Sequence, residues 1–597
     1  MTNSSGKAAS TESSEVASIP PGRESALRSM VRRVRVGLTT REESLFLFLA
    51  VLLGAFAGLA VVCFRVSIEF TRVWLLGSGL HPTPLRALLA PTLGGIVVAF
   101  LVTRYFPRIR GSGVTQTKSA VYIYDGYIPF GTVLQKFALC SLAIGSGHSL
   151  GPEDPSLQIG AGIASALGRR LQFSREKLRL IAPVGAAAGL AAAFNSPIAA
   201  VIFVIEEVIG TWSAGILGAV VLAAVSSVVV TRLFLGAEPM FRVPRYTLAH
   251  PAELLGYAVL GLVGGLASIL FARLLGFLRP RLKALPRWTY YLQPAAAGLI
   301  IGTIGVKFPQ VMGAGYDYID QAMHGEFLWQ ILIVLALLKI VATSLSLASG
   351  TPGGMFAPTL FIGAMVGGAV GALERHLVPG FAGPIGAYAL VGMGTLFAGF
   401  LRVPMTSVFM VLEVSGNYSI ILPVMIANTL AYLISRRFQP VPIFDLLTRQ
   451  DGLNLPSMEE TREQATLMVE EAMQPPSGPL LQAAQTVASA TAQINESGEE
   501  AFLVSYETGR WALVRKAALR AAANEGMESL PLREILPAAR LPRLHPDQPV
   551  DLALRLFRDA PFLPVVHRAD ATRLVGVLSL NDILNAYQPR VKKHRST

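Results

Sequence analysis

Residues 144–162 read Ile-Gly-Ser-Gly-His-Ser-Leu-Gly-Pro-Glu-Asp-Pro-Ser-Leu-Gln-Ile-Gly-Ala-Gly. Glycine and proline crowd the first part of this stretch and prevent a helix from running through it. A helical run then begins, with two carboxylates, Glu153 and Asp154, at its start. The pattern returns at 347–365: Leu-Ala-Ser-Gly-Thr-Pro-Gly-Gly-Met-Phe-Ala-Pro-Thr-Leu-Phe-Ile-Gly-Ala-Met. An offset of 203 pairs Gly147 with Gly350, Gly151 with Gly354, Pro155 with Pro358, and Ile159-Gly160-Ala161 with Ile362-Gly363-Ala364. Upstream it pairs Lys136 with Lys339 and Ser141-Leu142 with Ser344-Leu345. At an offset of 207, Val184-Gly185 meets Val391-Gly392, Pro197 meets Pro404 and Glu206 meets Glu413. Alanine and leucine coincide by chance in apolar chains, whereas an ordered run of Lys, Gly and Pro marks an internal repeat. Periodicity does not say whether the repeat is parallel or inverted.

The surrounding chain is membrane material. Of 597 residues, 52% are hydrophobic and 15% charged, against roughly a quarter charged in soluble domains. Leu45–Val62, Ser213–Val230 and Leu328–Leu347 each approach the roughly 20 residues that span hydrocarbon. Gly145–Pro155, Pro183–Pro197, Ser349–Pro358 and Val391–Pro404 are broken by Gly and Pro. Irregular backbone is tolerated at membrane depth only inside protein or against a wet cavity. Broken segments in matching halves therefore point to a transport site.

The net charge of +13 does not imply nucleic acid, because much of the basic excess flanks the apolar region. Arg28, Arg32, Arg33 and Arg35 precede it and Arg436 and Arg437 close it, which places both termini in the cytoplasm under the positive-inside rule. Residues 1–40 read as a disordered, basic N-terminus, the first 24 being polar and Ser-rich with no apolar core of a cleavable signal. Cys63 and Cys140 sit in apolar helical stretches and read as buried small hydrophobes rather than a disulfide. The membrane domain is expected over 41–450, with halves at about 41–235 and 250–438. A linker at 451–465 leads to two α/β modules, 466–526 and 527–590. Their strands are Phe502–Val504 with Trp511–Val514, and Phe562–Val566 with Leu574–Leu578.

Four segments sit at expected helix starts: Gly111-Ser112-Gly113-Val114-Thr115, Gly151-Pro152-Glu153-Asp154-Pro155, Gly353-Gly354-Met355-Phe356-Ala357-Pro358 and Pro442-Ile443-Phe444-Asp445. A helix N-terminus offers free N–H groups and a positive dipole end to anions. Several converging at mid-membrane bind a dehydrated anion without a full positive charge that would hold it too tightly to release.

On these residues the chain resembles the CLC family of chloride channels and proton/chloride exchangers. The family's GSGIP, GREGP and GxFxP signatures correspond, in order, to the first three segments. Ile205-Glu206-Glu207, Val411-Leu412-Glu413 and Gly416-Asn417-Tyr418 also look like the family, and the similarity runs from about Glu43 to Gln450. The modules that follow look like a pair of CBS domains. The fold implied is an all-α polytopic membrane domain with an inverted internal repeat, CLC-type, followed by a cytosolic α/β CBS pair. The function implied is a chloride/proton antiporter, the alternative being a passive chloride channel of the same fold. Relatives that are channels tend to lose the inner glutamate, and this chain keeps Glu207.

By the resemblance, the Ser112 hydroxyl and the Met355 and Phe356 amides hold a central anion, and the Phe444 ring forms an inner gate. Glu153 is the gating carboxylate that competes with anions and carries the proton; Glu207 is the inner proton-transfer acid. The family further implies a homodimer in the bacterial inner membrane, no nucleic acid, no metal and no catalytic cofactor. In the second module Ser579 and Asp582 follow a strand, as residues holding nucleotide phosphate and ribose do in CBS domains. An adenine-nucleotide site and a purely dimer-stabilising pair both remain open. The chain departs from the family where Phe444 replaces a common tyrosine, Thr115 the proline of GSGIP, and Pro152 and Asp154 two residues of GREGP. Pro152 brings no N–H, so the outer anion site is expected to lack one donor, with Asp154 adding a carboxylate beside the gate.

The repeat separates the adjacent glutamates. Glu206 matches Glu413, which suits a symmetric structural role such as bonding loop amides. Glu207 faces Val414 and has no counterpart, as a one-sided proton path requires. Lys136 and Lys339 are expected to neutralise internal carboxylates, and His148 to occupy a surface or turn. A hydrolase would need a nucleophile–base pair or a His-Glu-x-x-His helix, and the sequence supplies neither.

Overall fold

The computed structural model describes residues 21–173, 175–210, 214–237, 240–241, 250–378, 383–453, 455–456, 467–476, 478–536, 541–557 and 560–586. The chain divides into two compact units, Met1–Met458 and Glu459–Thr597. Among the described residues of the first, eight helices are long and apolar enough to cross a membrane. Phe46–Leu76, Ile216–Leu235 and Trp329–Ala348 answer the three expected spans. The N-terminal expectation needs correction. Residues from Pro21 onward belong to a continuous helix, Pro21–Leu76, which the five arginines of 21–40 favour; residues 1–20 lie outside the described residues.

The repeat is visible as architecture. Helices Phe130–Gly145, Glu153–Arg170, Arg175–Phe194, Pro197–Phe203 and Ala214–Leu235 are answered by Trp329–Ala348, Phe356–Leu377, Ile385–Leu401, Pro404–Ser415 and Ile421–Phe438. Glu153–Arg170 packs on Arg175–Phe194, and Phe356–Leu377 on Ile385–Leu401. Both contacts are glycine-on-glycine: a methyl group at Gly160 would collide with the Gly185 carbonyl, and one at Gly363 with the Gly392 carbonyl. Asn195 (φ 55°) and Arg402 (φ 65°), 207 apart, take the left-handed conformation two residues before Pro197 and Pro404. Each Lys tethers a loop in its own half. Lys136 Nζ donates to the carbonyls of Ile109 (3.2 Å) and Gly111 (2.9 Å), and Lys339 Nζ to those of Val311 (3.0 Å) and Gly313 (2.8 Å). Both lysines thus bond loop carbonyls that have no helical partner. Lys136 also interacts electrostatically with the buried Asp154 carboxyl group, as expected of it, whereas Lys339 is held by carbonyls instead of the expected carboxylate.

The halves meet at Gly151 and Gly354. Each donates its N–H to the other's carbonyl, at 2.8 and 2.9 Å, in an antiparallel bridge. Equivalent residues pairing in opposite directions place a local twofold axis between the halves. Cys140 is buried as expected, whereas Cys63 is exposed, pointing out of the bundle from the apolar span Phe46–Leu76.

The second unit holds the four expected strands. Ala501–Ser505 pairs antiparallel with Trp511–Arg515 and parallel with Leu481–Gln482; Phe562–Val566 pairs antiparallel with Leu574–Ser579. Two apolar cores form, one around Leu481, Val504 and Leu519, the other around Val469, Val565 and Leu578. The cores exchange flanking segments. Gln474 pairs with Val577 and Met468 with Pro549, so the start of the range 466–526 packs with the second core, while Leu532 packs in the first.

Candidate functional site

Glu153 opens the helix Glu153–Arg170 and is fully buried. Its Oε2 accepts the Ala357 N–H at 3.3 Å, in the first turn of Phe356–Leu377. The Gly151–Gly354 bridge sets this geometry by bringing two helix starts together. The carboxylate therefore stands at a helix N-terminus, where an anion is favoured. The Met355 and Phe356 amides belong to the same first turn, which has no preceding carbonyls to satisfy it. The Arg65 guanidinium, from the span Phe46–Leu76, interacts electrostatically with Glu153. No sequence motif pointed to Arg65, although a cation inside an apolar span is itself a signal.

Ser112 is the N-cap of Gly113–Tyr122. Its Oγ accepts the Val114 N–H at 3.2 Å, and the same N–H reaches Asp154 Oδ1 at 2.8 Å. Asp154 is fully buried. The neighbouring carboxylates thus address two different helix starts, Glu153 that of Phe356–Leu377 and Asp154 that of Gly113–Tyr122. A cavity of about 330 Å³ adjoins the Ser112 segment, lined among others by Gly111, Thr115, Arg279 and Lys283. Both cations are bonded to Asp451, at 2.8 and 2.6 Å. His148, expected at a surface or turn, is completely buried, because the broken segment carrying it lies inside the protein.

The adjacent glutamates lie on the π-helix Val204–Ile209 and point to different partners. Glu206 accepts the N–H groups of Met405 (3.3 Å) and Thr406 (3.0 Å) and the Thr406 hydroxyl (2.7 Å), and so caps Pro404–Ser415. Reciprocally, Glu413 accepts the N–H groups of Ile198 (3.0 Å) and Ala199 (2.8 Å) and caps Pro197–Phe203. The symmetric role expected of this pair is what the structure holds. Glu207 is also buried but bonds Lys118 Nζ at 2.8 Å, and Lys118 in turn bonds Asp445 at 3.1 Å. Asp445 follows Phe444 in the short helix Ile443–Gln450. The Phe444 ring is fully buried, 6.2 Å from the Phe356 ring and 6.4 Å from that of Phe203. Glu153, Ser112, Met355, Phe356, Phe444 and Glu207 therefore belong to one connected interior.

The family described as voltage gated chloride channel matches residues 94–436. The chain belongs to the CLC family. A second family, the CBS domain, matches residues 532–589. The CLC chain is 32% identical over 415 residues to a Vibrio campbellii protein named H(+)/Cl(-) exchange transporter ClcA, covering 67% of this chain and 88% of that one. A Ralstonia nicotianae protein bearing the name of a ClcB-like chloride channel protein is 33% identical over 425 residues, 69% of this chain and 99% of that one. Among solved structures, a slow cyanobacterial Cl-/H+ antiporter shares the fold, with a TM-score of 0.62 at 23% identity over 70% of this CLC chain and 98% of that one. A CLC-type fluoride/proton antiporter aligns with a TM-score of 0.55 at 25% identity, covering 68% of this chain and 97% of that one.

In the CBS region, Ser579 and Asp582 bond each other. Asp582 Oδ2 accepts the Ser579 N–H (2.8 Å) and hydroxyl (2.6 Å), and Ser579 Oγ accepts the Asp582 N–H (3.2 Å). This reciprocal pair caps the helical residues 580–586.

Proposed function

We infer that this CLC chain exchanges chloride for protons across a bilayer. The observation that carries the reading is the buried Glu153 carboxylate on the Ala357 amide at the start of Phe356–Leu377. An ionised Glu153 fills an anion position; protonated, it has no charge to hold it there and yields the helix terminus to chloride. Binding of proton and anion are thereby linked at one place. Ser112 and the Met355 and Phe356 amides supply the anion site further in, and Phe444 closes it from the inner side. Glu207 passes protons between Glu153 and the cytosol. Such a protein works as a homodimer in the bacterial inner membrane, with both termini in the cytoplasm as the flanking arginines favour. In the tail, the mutual bonding of Ser579 and Asp582 supports a structural CBS pair over a nucleotide site.

Purified protein in liposomes tests the exchange. A chloride gradient directed outward should drive protons inward against their own gradient. Chloride efflux with no proton movement under any gradient would replace the exchanger by a passive channel.

A further inference from the structure

We propose that Lys118, held between Glu207 and Asp445, links the charge of the inner proton acid to the admission of chloride past Phe444. The inference rests on the reading of Glu207 given above. Lys118 is fully buried, and its two carboxylate partners have side-chain exposures of 5% and 6%. Three elements meet at this ammonium: Gly113–Tyr122, which begins at Ser112; the π-helix Val204–Ile209; and Ile443–Gln450, which carries Phe444 beside Asp445. One cation thus touches the helix of the anion segment, the proton acid and the gate helix.

The charges decide what this arrangement does. With Glu207 ionised, one ammonium and two carboxylates leave the cluster at a net −1; with Glu207 protonated the cluster is neutral. Among the described residues, the other groups around it have partners of their own. Glu206 is committed to the Met405 and Thr406 amides, the Tyr122 hydroxyl donates to the Ile209 carbonyl, and Arg179 lies 5.3 Å over the Tyr122 ring. A single charge in a poorly polarisable interior acts strongly on an ion passing nearby. The negative cluster repels chloride from the inner side of Phe444, and a proton on Glu207 lifts that repulsion. Chloride entry from inside then depends on the summed charge of the cluster.

That dependence gives a test that separates a charge role from a merely structural one. Chloride efflux and proton uptake are measured in liposomes for wild type, Glu207→Gln, Lys118→Met, Asp445→Asn and the double variant Lys118→Met/Asp445→Asn. With Glu207 ionised, Asp445→Asn leaves a neutral cluster, Lys118→Met leaves −2, and the double variant restores −1. Asp445→Asn should raise chloride flux severalfold and lower the protons moved per chloride. Lys118→Met should slow chloride about tenfold, and the double variant should return it to within about twofold of wild type. A double variant as slow as Lys118→Met, or an Asp445→Asn protein no faster than wild type, overturns the proposal. If Lys118→Met does not assemble, the Asp445→Asn result decides alone. Glu207→Gln that still moves protons at the wild-type ratio overturns the reading of Glu207 itself, whatever the other variants do.

Discussion

Replacing Glu153 by glutamine tests whether the carboxylate and chloride compete for one helix start. The side chain keeps its size and an acceptor oxygen for the Ala357 N–H, now 3.3 Å from Oε2. What is lost is the charge. A hydrogen bond to a charged group contributes about 1.5–3 kcal/mol and a neutral one about 0.5–1.5 kcal/mol, so the occupant of the site weakens by roughly 1–1.5 kcal/mol. An anion competing for that terminus gains the same amount, equivalent to about a five- to twelvefold tighter apparent affinity. Glu153→Gln should therefore bind chloride more tightly by calorimetry in detergent, pass chloride in liposomes, and move no protons. Proton uptake at the wild-type ratio would show that Glu153 does not carry the proton, and an unchanged chloride affinity that it does not occupy an anion position.

Glu206→Ala should leave two amides at a largely buried helix start unsatisfied, and Glu413→Ala two at a more exposed one. Each should cost about 2–4 kcal/mol of stability, read as a lowered unfolding midpoint, with Glu413→Ala the milder because its site is less buried. Gly160→Ala forces a methyl against the Gly185 carbonyl and should destabilise by about 1–3 kcal/mol, visible as a lowered thermal midpoint in detergent; an unchanged midpoint would mean that the helix pair yields there. Deleting the chain after Asp451 should leave a dimer by light scattering in detergent, whereas a monomer would place the dimer contact in the tail. Asp582→Ala should speed hydrogen exchange at residues 580–586 of the full-length protein through a lost cap of about 1 kcal/mol. Wild type should give no calorimetric signal with ATP, ADP or AMP at millimolar concentration, and a signal abolished by the substitution would restore the nucleotide site.

The repeat, the broken helices and the four helix starts were legible because each is local. Glycine and proline act on the backbone within a turn, and their ordered recurrence survives in two halves whose other side chains have diverged. The Glu206–Glu413 assignment was legible for the same reason, since a symmetric partner implies a symmetric contact. Lys118 was not. Its partners lie 89 and 327 residues away, and nothing near Thr117-Lys118-Ser119 says that a cluster closes on it. The only available signal was a lysine within membrane-depth sequence, which has to be paired to persist. His148 misled for a related reason: glycine and serine neighbours suggest an exposed turn in a soluble protein, but here the turn is interior. Cys63 misled because apolar neighbours indicate a span without indicating which face of it meets the bundle.

The departure at Asp154 acquires a meaning that the sequence alone could not supply. A second carboxylate next to Glu153 suggested two like charges crowding one gate, on a segment already short of a donor at Pro152. Successive residues of a helix point about 100° apart, and the two side chains diverge accordingly, Glu153 toward the Ala357 amide and Asp154 toward that of Val114. Each helix start is thus met by a carboxylate from the same short segment. Asp154 Oδ1 takes the N–H that Ser112 Oγ also accepts, so the Ser112 helix start is already met by the Asp154 carboxyl group, which interacts electrostatically with Lys136. On the exchanger reading proposed above, chloride at Ser112 would share that helix start with Asp154 and be held less tightly than the bare motif implies. On that reading the departure would act at the Ser112 helix start, although it sits one residue from Glu153.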